Sequence, residues 1–164
     1  MVSSPRQQQI HPFPPVYSSQ SRLLILGTFP SVLSRANAFY YGNPHNRFWA
    51  VLAALKQEQV PDTVDLKRAF LLRHDIALWD VLASCQIQGS SDASIRDAQP
   101  NNITQLLRET AITRVFANGQ AAGRLYQQFF AGSGLPAAQV LPSTSPANAA
   151  WSLERLIAAW QVLL

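Results

Sequence analysis

Residues 22–29 read RLLILGTF, and the fold turns on what so apolar a run can become. A strand made from it is apolar on both faces, as a central strand of a covered parallel sheet must be. Gly27 permits close backbone approach at its end, and Pro30 fixes the turn that leaves it. Three later runs share the pattern: DIALWDVL (75–82), TRVFANG (113–119) and QVLPSTS (139–145). Each is short and bounded by turn residues. Between them the apolar spacing is helical. NRFWAVLAALKQ (46–57) puts Phe48, Leu52 and Leu55 on one stripe, while DLKRAFLLRHD (65–75) and NNITQLLRETA (101–111) offer Asp65 and Asn102 as N-caps. GQAAGRLYQQFFAG (119–132) and PANAAWSLERLIAAWQVLL (146–164) supply the last two helices. Strand and helix alternate, which predicts a three-layer α/β/α fold with a central, mainly parallel four-stranded sheet.

With 164 residues, 48% hydrophobic and 13% charged, the chain suits one domain with a substantial core. Residues 21–164 are read as that domain and residues 1–20 as a Pro-rich arm packed on it. Thirteen Lys+Arg against nine Asp+Glu give a net charge of +4, which favours an anionic partner. The arginines are scattered, so a merely solvated basic surface fits as well. Cys85 is the only cysteine, which rules out an intrachain disulfide and a cysteine-based zinc site. The N-terminus lacks the apolar core of a signal peptide and no run is long enough to span a bilayer. A cytoplasmic protein without membrane contact is expected, nucleoid-associated if bacterial.

In open parallel sheets ligands gather at the loops that follow the strands. Two such loops stand out: 27–49, crowded with Asn, Tyr, Gly, Pro and His, and QGSSDASIRDAQPNN (88–102). Neither GxxxxGK[ST] nor GxGxxG is present, which removes the usual nucleotide cradles, and no cofactor or metal is expected. The fourth run leaves into LPSTSPAN (141–148), whose hydroxyls and amides suit a phosphate or a structured turn equally.

Taken together, GTFPS (27–31), YYGNPHNRFW (40–49), ALWDVL (77–82), VFANG (115–119) and LPSTSPAN (141–148), in this order and at these strand ends, resemble the uracil-DNA glycosylase superfamily. Phe29 and the displaced Asn make the pattern most similar to its hypoxanthine-DNA (deoxyinosine) glycosylases. The resemblance implies a monofunctional enzyme that flips deoxyinosine out of DNA and hydrolyses its N-glycosidic bond for base-excision repair. It also implies a monomer whose partners are DNA containing deaminated bases and the enzymes that process abasic sites.

Residue roles follow from that resemblance and from chemistry. Phe29 cannot orient water, so Asn46 is the expected catalytic residue, with Asn43 as the alternative. An amide can aim water where the bond breaks dissociatively and deprotonation is not required. Asn46 also suits an N-cap for the helix after it. Tyr41 falls where the superfamily stacks a ring on the extruded base, and Thr28 and Phe29 join it as base-binding residues, while Tyr40, Phe48 and Trp49 read as core. Asp80 occupies the base-reading position; an ionised carboxylate accepts the N1–H of hypoxanthine and repels the N1 lone pair of adenine. Ser143, Ser145 and Ser31 are the expected phosphate contacts. His45 reads as a leaving-group acid or a surface turn, and Asn118, before Gly119, as turn chemistry. Three rivals share these residues: a uracil-preferring glycosylase, a non-catalytic DNA-binding module, and a hydrolase of free nucleosides.

Overall fold

The computed structural model describes residues 5–164, and in it the four apolar runs supply one parallel sheet, the fourth only as far as Leu141, because Pro142 ends the pairing and the hydroxyl-rich residues after it form a loop. Its order is β3 (Ile76–Asp80), β2 (Leu23–Gly27), β6 (Arg114–Asn118) and β7 (Ala138–Leu141). In register, Gly27 lies beside Asp80, Leu26 beside Ala117, and Asn118 beside Leu141. The carboxyl ends are therefore nearly level, and the loops that follow open on one edge.

The pleat sorts the core into two clusters. Leu23 and Ile25 point to one face, with Phe48, Trp49, Leu71 and Trp160 from α2 (Phe48–Lys56), α3 (Val64–Arg73) and α6 (Leu153–Trp160). Leu24 and Leu26 point to the other, with Leu106 of α4 (Ile103–Arg108) and Tyr126 of α5 (Gln120–Phe130). The predicted stripe of α2 is buried throughout, and each such large apolar side chain contributes about 1.5–3 kcal/mol. Asn102 caps α4 as expected, its side chain accepting from the Gln105 N–H. The α3 cap differs. Thr63, in an extended conformation, accepts from the Leu66 N–H, and Asp65 sits in the first turn, where its charge meets the positive end of the helix dipole.

A second sheet was not expected. β1 (Gln7–Ile10), β4 (Leu82–Ile87) and β5 (Arg96–Pro100) pair antiparallel in the order β1-β4-β5. The run at 75–82 does not simply end in a loop. It breaks at Val81, whose N–H donates to the Gly27 carbonyl at 2.8 Å, and resumes as β4. The loop at 88–102 thereby shrinks to a short segment with a 3₁₀ turn at Asp92–Ser94. The N-terminal arm, described from residue 5 onward, supplies β1; Phe13 and Val16 are buried, and Val16 pairs with Leu78. Residues 1–4 of the arm lie outside the described residues. Among the described residues no helix is long and apolar enough to cross a membrane.

Candidate active site

The loops after β2, β3, β6 and β7 enclose a cavity of about 300 Å³, at the small end of the roughly 300–1,000 Å³ typical of ligand pockets. Every residue expected to act lines it: Asn46, Tyr41, Asp80, Thr28, Phe29, Ser31, Ser143 and Ser145. Asn43 lines it too, as do Asp92, Asn118 and Thr144, whereas His45 does not. Phe48 and Trp49 belong to the core as predicted, while Tyr40, equally buried, also reaches the cavity wall.

Asn46 holds two jobs at once. Its Oδ1 accepts from the Phe48 N–H at 2.9 Å, serving the first turn of α2, and from the Thr144 hydroxyl at 2.8 Å. Thr144, fully buried, is fixed in turn by Asn118: the Asn118 Nδ2 donates to Thr144 Oγ1 at 3.0 Å, and the Thr144 N–H donates to Asn118 Oδ1 at 3.1 Å. Asn118 is thus more than a turn residue. Asn-Gly hid this role in the sequence, because its partner lies 26 positions away. With the Oδ1 of Asn46 committed, the part of the amide left for the cavity is its Nδ2 donor.

Asp80 is buried at the end of β3. Its Oδ2 receives His11 Nε2 from the arm at 2.8 Å. Its Oδ1 lies over Gly27 so closely that a Cβ there would stand 2.3 Å from it and 3.0 Å from the Tyr41 hydroxyl. Glycine is required at this position by contact, not by conformation. Tyr41 itself adopts a left-handed backbone with φ 52°, which costs a non-glycine residue about 1–2 kcal/mol. Its ring stacks on Phe48 with centroids 4.0 Å apart, and burial together with the Asp80 charge pushes its hydroxyl pKa up, so the proton stays on. One ring face is therefore occupied by Phe48. Asn118 lies near enough to influence that hydroxyl, with one Nδ2 hydrogen left over from its bond to Thr144, but no well-formed hydrogen bond reaches the oxygen.

The rim is built by arginines that bind carbonyls. Arg35 donates to the carbonyls of Pro30 at 3.0 Å and Gly89 at 3.2 Å, joining two lips of the cavity. Arg47 donates to the carbonyls of Ser145 at 3.0 Å, Asn148 at 3.1 Å and Trp151, pinning the loop after β7 beside Asn46. Within that loop Ser143 Oγ accepts from the Ser145 N–H and Ser145 Oγ from the Ala147 N–H, both at 3.1 Å. Each hydroxyl spends a lone pair on the turn and keeps its own hydrogen for a ligand. Ser31 is more occupied, capping the short α1 (Val32–Asn37) and donating to Ser34 Oγ. On the opposite lip Asp92 is exposed as a residue, but its carboxylate faces the cavity. Desolvation, then the Asp80 charge, push its pKa up to about 6 against a lowering hydrogen bond from Thr28. Asp92 lay in a segment read only as a loop.

A small cavity at the carboxyl edge of a parallel sheet, with a buried carboxylate, an amide and a hydroxyl-rich turn, stands where open α/β sheets bind ligands. A family model described as the uracil DNA glycosylase superfamily matches residues 14–164, and the chain belongs to that superfamily. It is 36% identical over 145 residues to a hypoxanthine DNA glycosylase of Methanosarcina acetivorans, covering 87% of this chain and 90% of the relative. A hypoxanthine DNA glycosylase of Methanosarcina barkeri is 32% identical over 139 residues, covering 83% and 86%. The fold matches the solution NMR structure of a Methanosarcina acetivorans protein assigned by name to the uracil DNA glycosylases, with a TM-score of 0.76, 32% identity, and coverage of 92% of this chain and 96% of that one.

Proposed function

We propose that this chain is a monofunctional hypoxanthine DNA glycosylase: it extrudes deoxyinosine from DNA, hydrolyses the N-glycosidic bond and leaves an abasic site. The observation that carries the reading is Asp80, a buried carboxylate presented to a base-sized cavity in a chain whose relatives bear that name. Its Oδ1 accepts the N1–H of hypoxanthine, and adenine, with a lone pair at N1, is repelled. Uracil offers a similar N–H beside a carbonyl, so the preference for hypoxanthine rests on the relatives and on the fit of a purine.

Cleavage places negative charge on the departing base and positive charge on the sugar. An Nδ2 hydrogen of Asn46 donated to the departing base meets the first of these; water then adds to the sugar carbon as the bond to the base breaks, and its proton passes to the departing base. Tyr41 and Phe29 supply apolar walls for the flipped base, and base–aromatic contact worth roughly 1–3 kcal/mol offsets much of the few kcal/mol of flipping. Ser143 and Ser145 donate their free hydroxyl hydrogens to the target phosphate. Neither lysine of the chain, Lys56 or Lys67, lines the cavity, so neither is placed to form a Schiff base and cleave the strand. In this reading the enzyme works as a cytoplasmic monomer and hands its abasic product to downstream repair enzymes.

The test is product identity. Incubation with a deoxyinosine duplex should release free hypoxanthine and leave a strand that breaks only on alkali treatment. Salt-sensitive DNA binding with no released base would instead make the chain a binding module, and hydrolysis of free inosine without DNA a nucleoside hydrolase.

A further inference from the structure

The arm carries a residue that reaches the site from outside the span that the family model matches. His11 precedes residue 14, where the family match begins, yet its side chain is only 4% exposed and its Nε2 lies 2.8 Å from Asp80 Oδ2. Three aromatic rings surround it. Phe13 packs edge-on at 4.7 Å between centroids, Phe29 at 6.0 Å, and Tyr40 tilted at 5.9 Å. The backbone is fixed as well, since the His11 N–H donates to the Ala83 carbonyl at 2.8 Å next to the β1–β4 pairing. An imidazole so placed on a carboxylate carries its hydrogen on Nε2 and donates it.

Two buried side-chain polar atoms lack a hydrogen-bond partner among the described residues, and both belong to this cluster: His11 Nδ1 and the Tyr41 hydroxyl. Buried orphans are rare and call for a reason. The Tyr41 hydroxyl and Asp80 Oδ1 both lie against Gly27 at the cavity wall, the hydroxyl buried behind it. Asp80 Oδ1 is left as the acceptor that matches the N1–H by which hypoxanthine differs from adenine.

We propose that His11 is a specificity-determining positioning residue: by holding Asp80 Oδ2 it keeps Oδ1 turned to the cavity, where Oδ1 accepts the N–H of the base edge. The proposal rests on the glycosylase reading above and extends it to the arm. Without His11 a carboxylate can rotate, and neither oxygen is reserved for the base.

The experiment compares single-turnover release from duplexes carrying deoxyinosine or deoxynebularine, a purine with neither the N1–H nor the O6. Intrinsic differences between the two bases cancel when the rate ratio is compared across variants. His11→Ala should lower the ratio about tenfold, the usual worth of a hydrogen bond to a charged group, at unchanged affinity for undamaged DNA. His11→Gln, whose amide can still donate to Asp80, should restore most of it, while the shorter His11→Asn should not. In an Asp80→Asn background, His11→Ala should change the ratio no further. If His11→Ala fails to fold, the Gln and Asn variants carry the comparison. Equal slowing of both substrates, or equal ratios for Gln and Asn, overturns the proposal. Absence of hypoxanthine release by the unmodified protein would instead overturn the glycosylase reading beneath it.

Discussion

Replacing Asn46 separates its two roles. In Asn46→Ala the Phe48 N–H loses its cap and the fully buried Thr144 hydroxyl loses its acceptor. The first costs about 1 kcal/mol and the second about 1–3 kcal/mol, which for a domain of this size lowers the melting temperature by roughly 5–15 °C. Asn46→Asp keeps an oxygen for both donors, but it removes the Nδ2 hydrogens and adds a carboxylate beside Asp80 and Asp92. It should therefore melt above Asn46→Ala, yet lose at least about 10²–10³ in single-turnover release, since a donor aimed at developing negative charge is lost and an acceptor takes its place. The assay pairs thermal unfolding with quantified alkali-labile sites on a deoxyinosine duplex. Asn46→Asp that retains turnover within threefold would refute donation by Nδ2, and undiminished turnover in Asn46→Ala would remove Asn46 from the chemistry altogether.

Other perturbations reach the same site from different sides. Asp92 is neutral below its raised pKa of about 6 and negative above it, so DNA affinity should rise as pH falls through 6; Asp92→Asn should abolish that step and bind more tightly at pH 8, as measured by fluorescence anisotropy. Gly27→Ala places a Cβ 2.3 Å from Asp80 Oδ1, and displacing the carboxylate should cost about 1–3 kcal/mol of stability and at least about tenfold in release of hypoxanthine; unchanged release would show that Asp80 is not read where it stands. Arg47→Lys replaces a fork that reaches three carbonyls with a point cation, so the loop after β7 should loosen and KM should rise more than kcat falls; an unchanged KM would separate that loop from DNA binding.

The central sheet was legible because Leu23–Leu26 and its neighbours Ile76–Leu78 and Val115–Ala117 are apolar on both faces, a pattern that few other environments allow, while β7 at the edge shows it least, with Gln139 and Val140 exposed. The second sheet was not, since QQQI, LASCQI and RDAQP are short and polar on at least one face, and their pairing is set by contacts far apart in the chain. The Thr63 cap was missed for a simpler reason, that Asp65 offered the same chemistry two residues later. At the site, the motif residues were readable because each follows a strand end, and the level register of the sheet brings those ends together. What escaped is pairwise. His11 meets Asp80 across 69 positions, and Thr144 meets Asn46 across 98, so no local pattern records either contact. Those two contacts change the chemistry, one by turning a carboxylate and the other by leaving Asn46 a donor.

The most direct measurement is the pair of single-turnover rates for deoxyinosine and deoxyuridine placed at the same position of one duplex. Hypoxanthine should be released at least about tenfold faster than uracil, a transition-state difference of about 1.4 kcal/mol or more. Uracil released as fast or faster would contradict a hypoxanthine glycosylase.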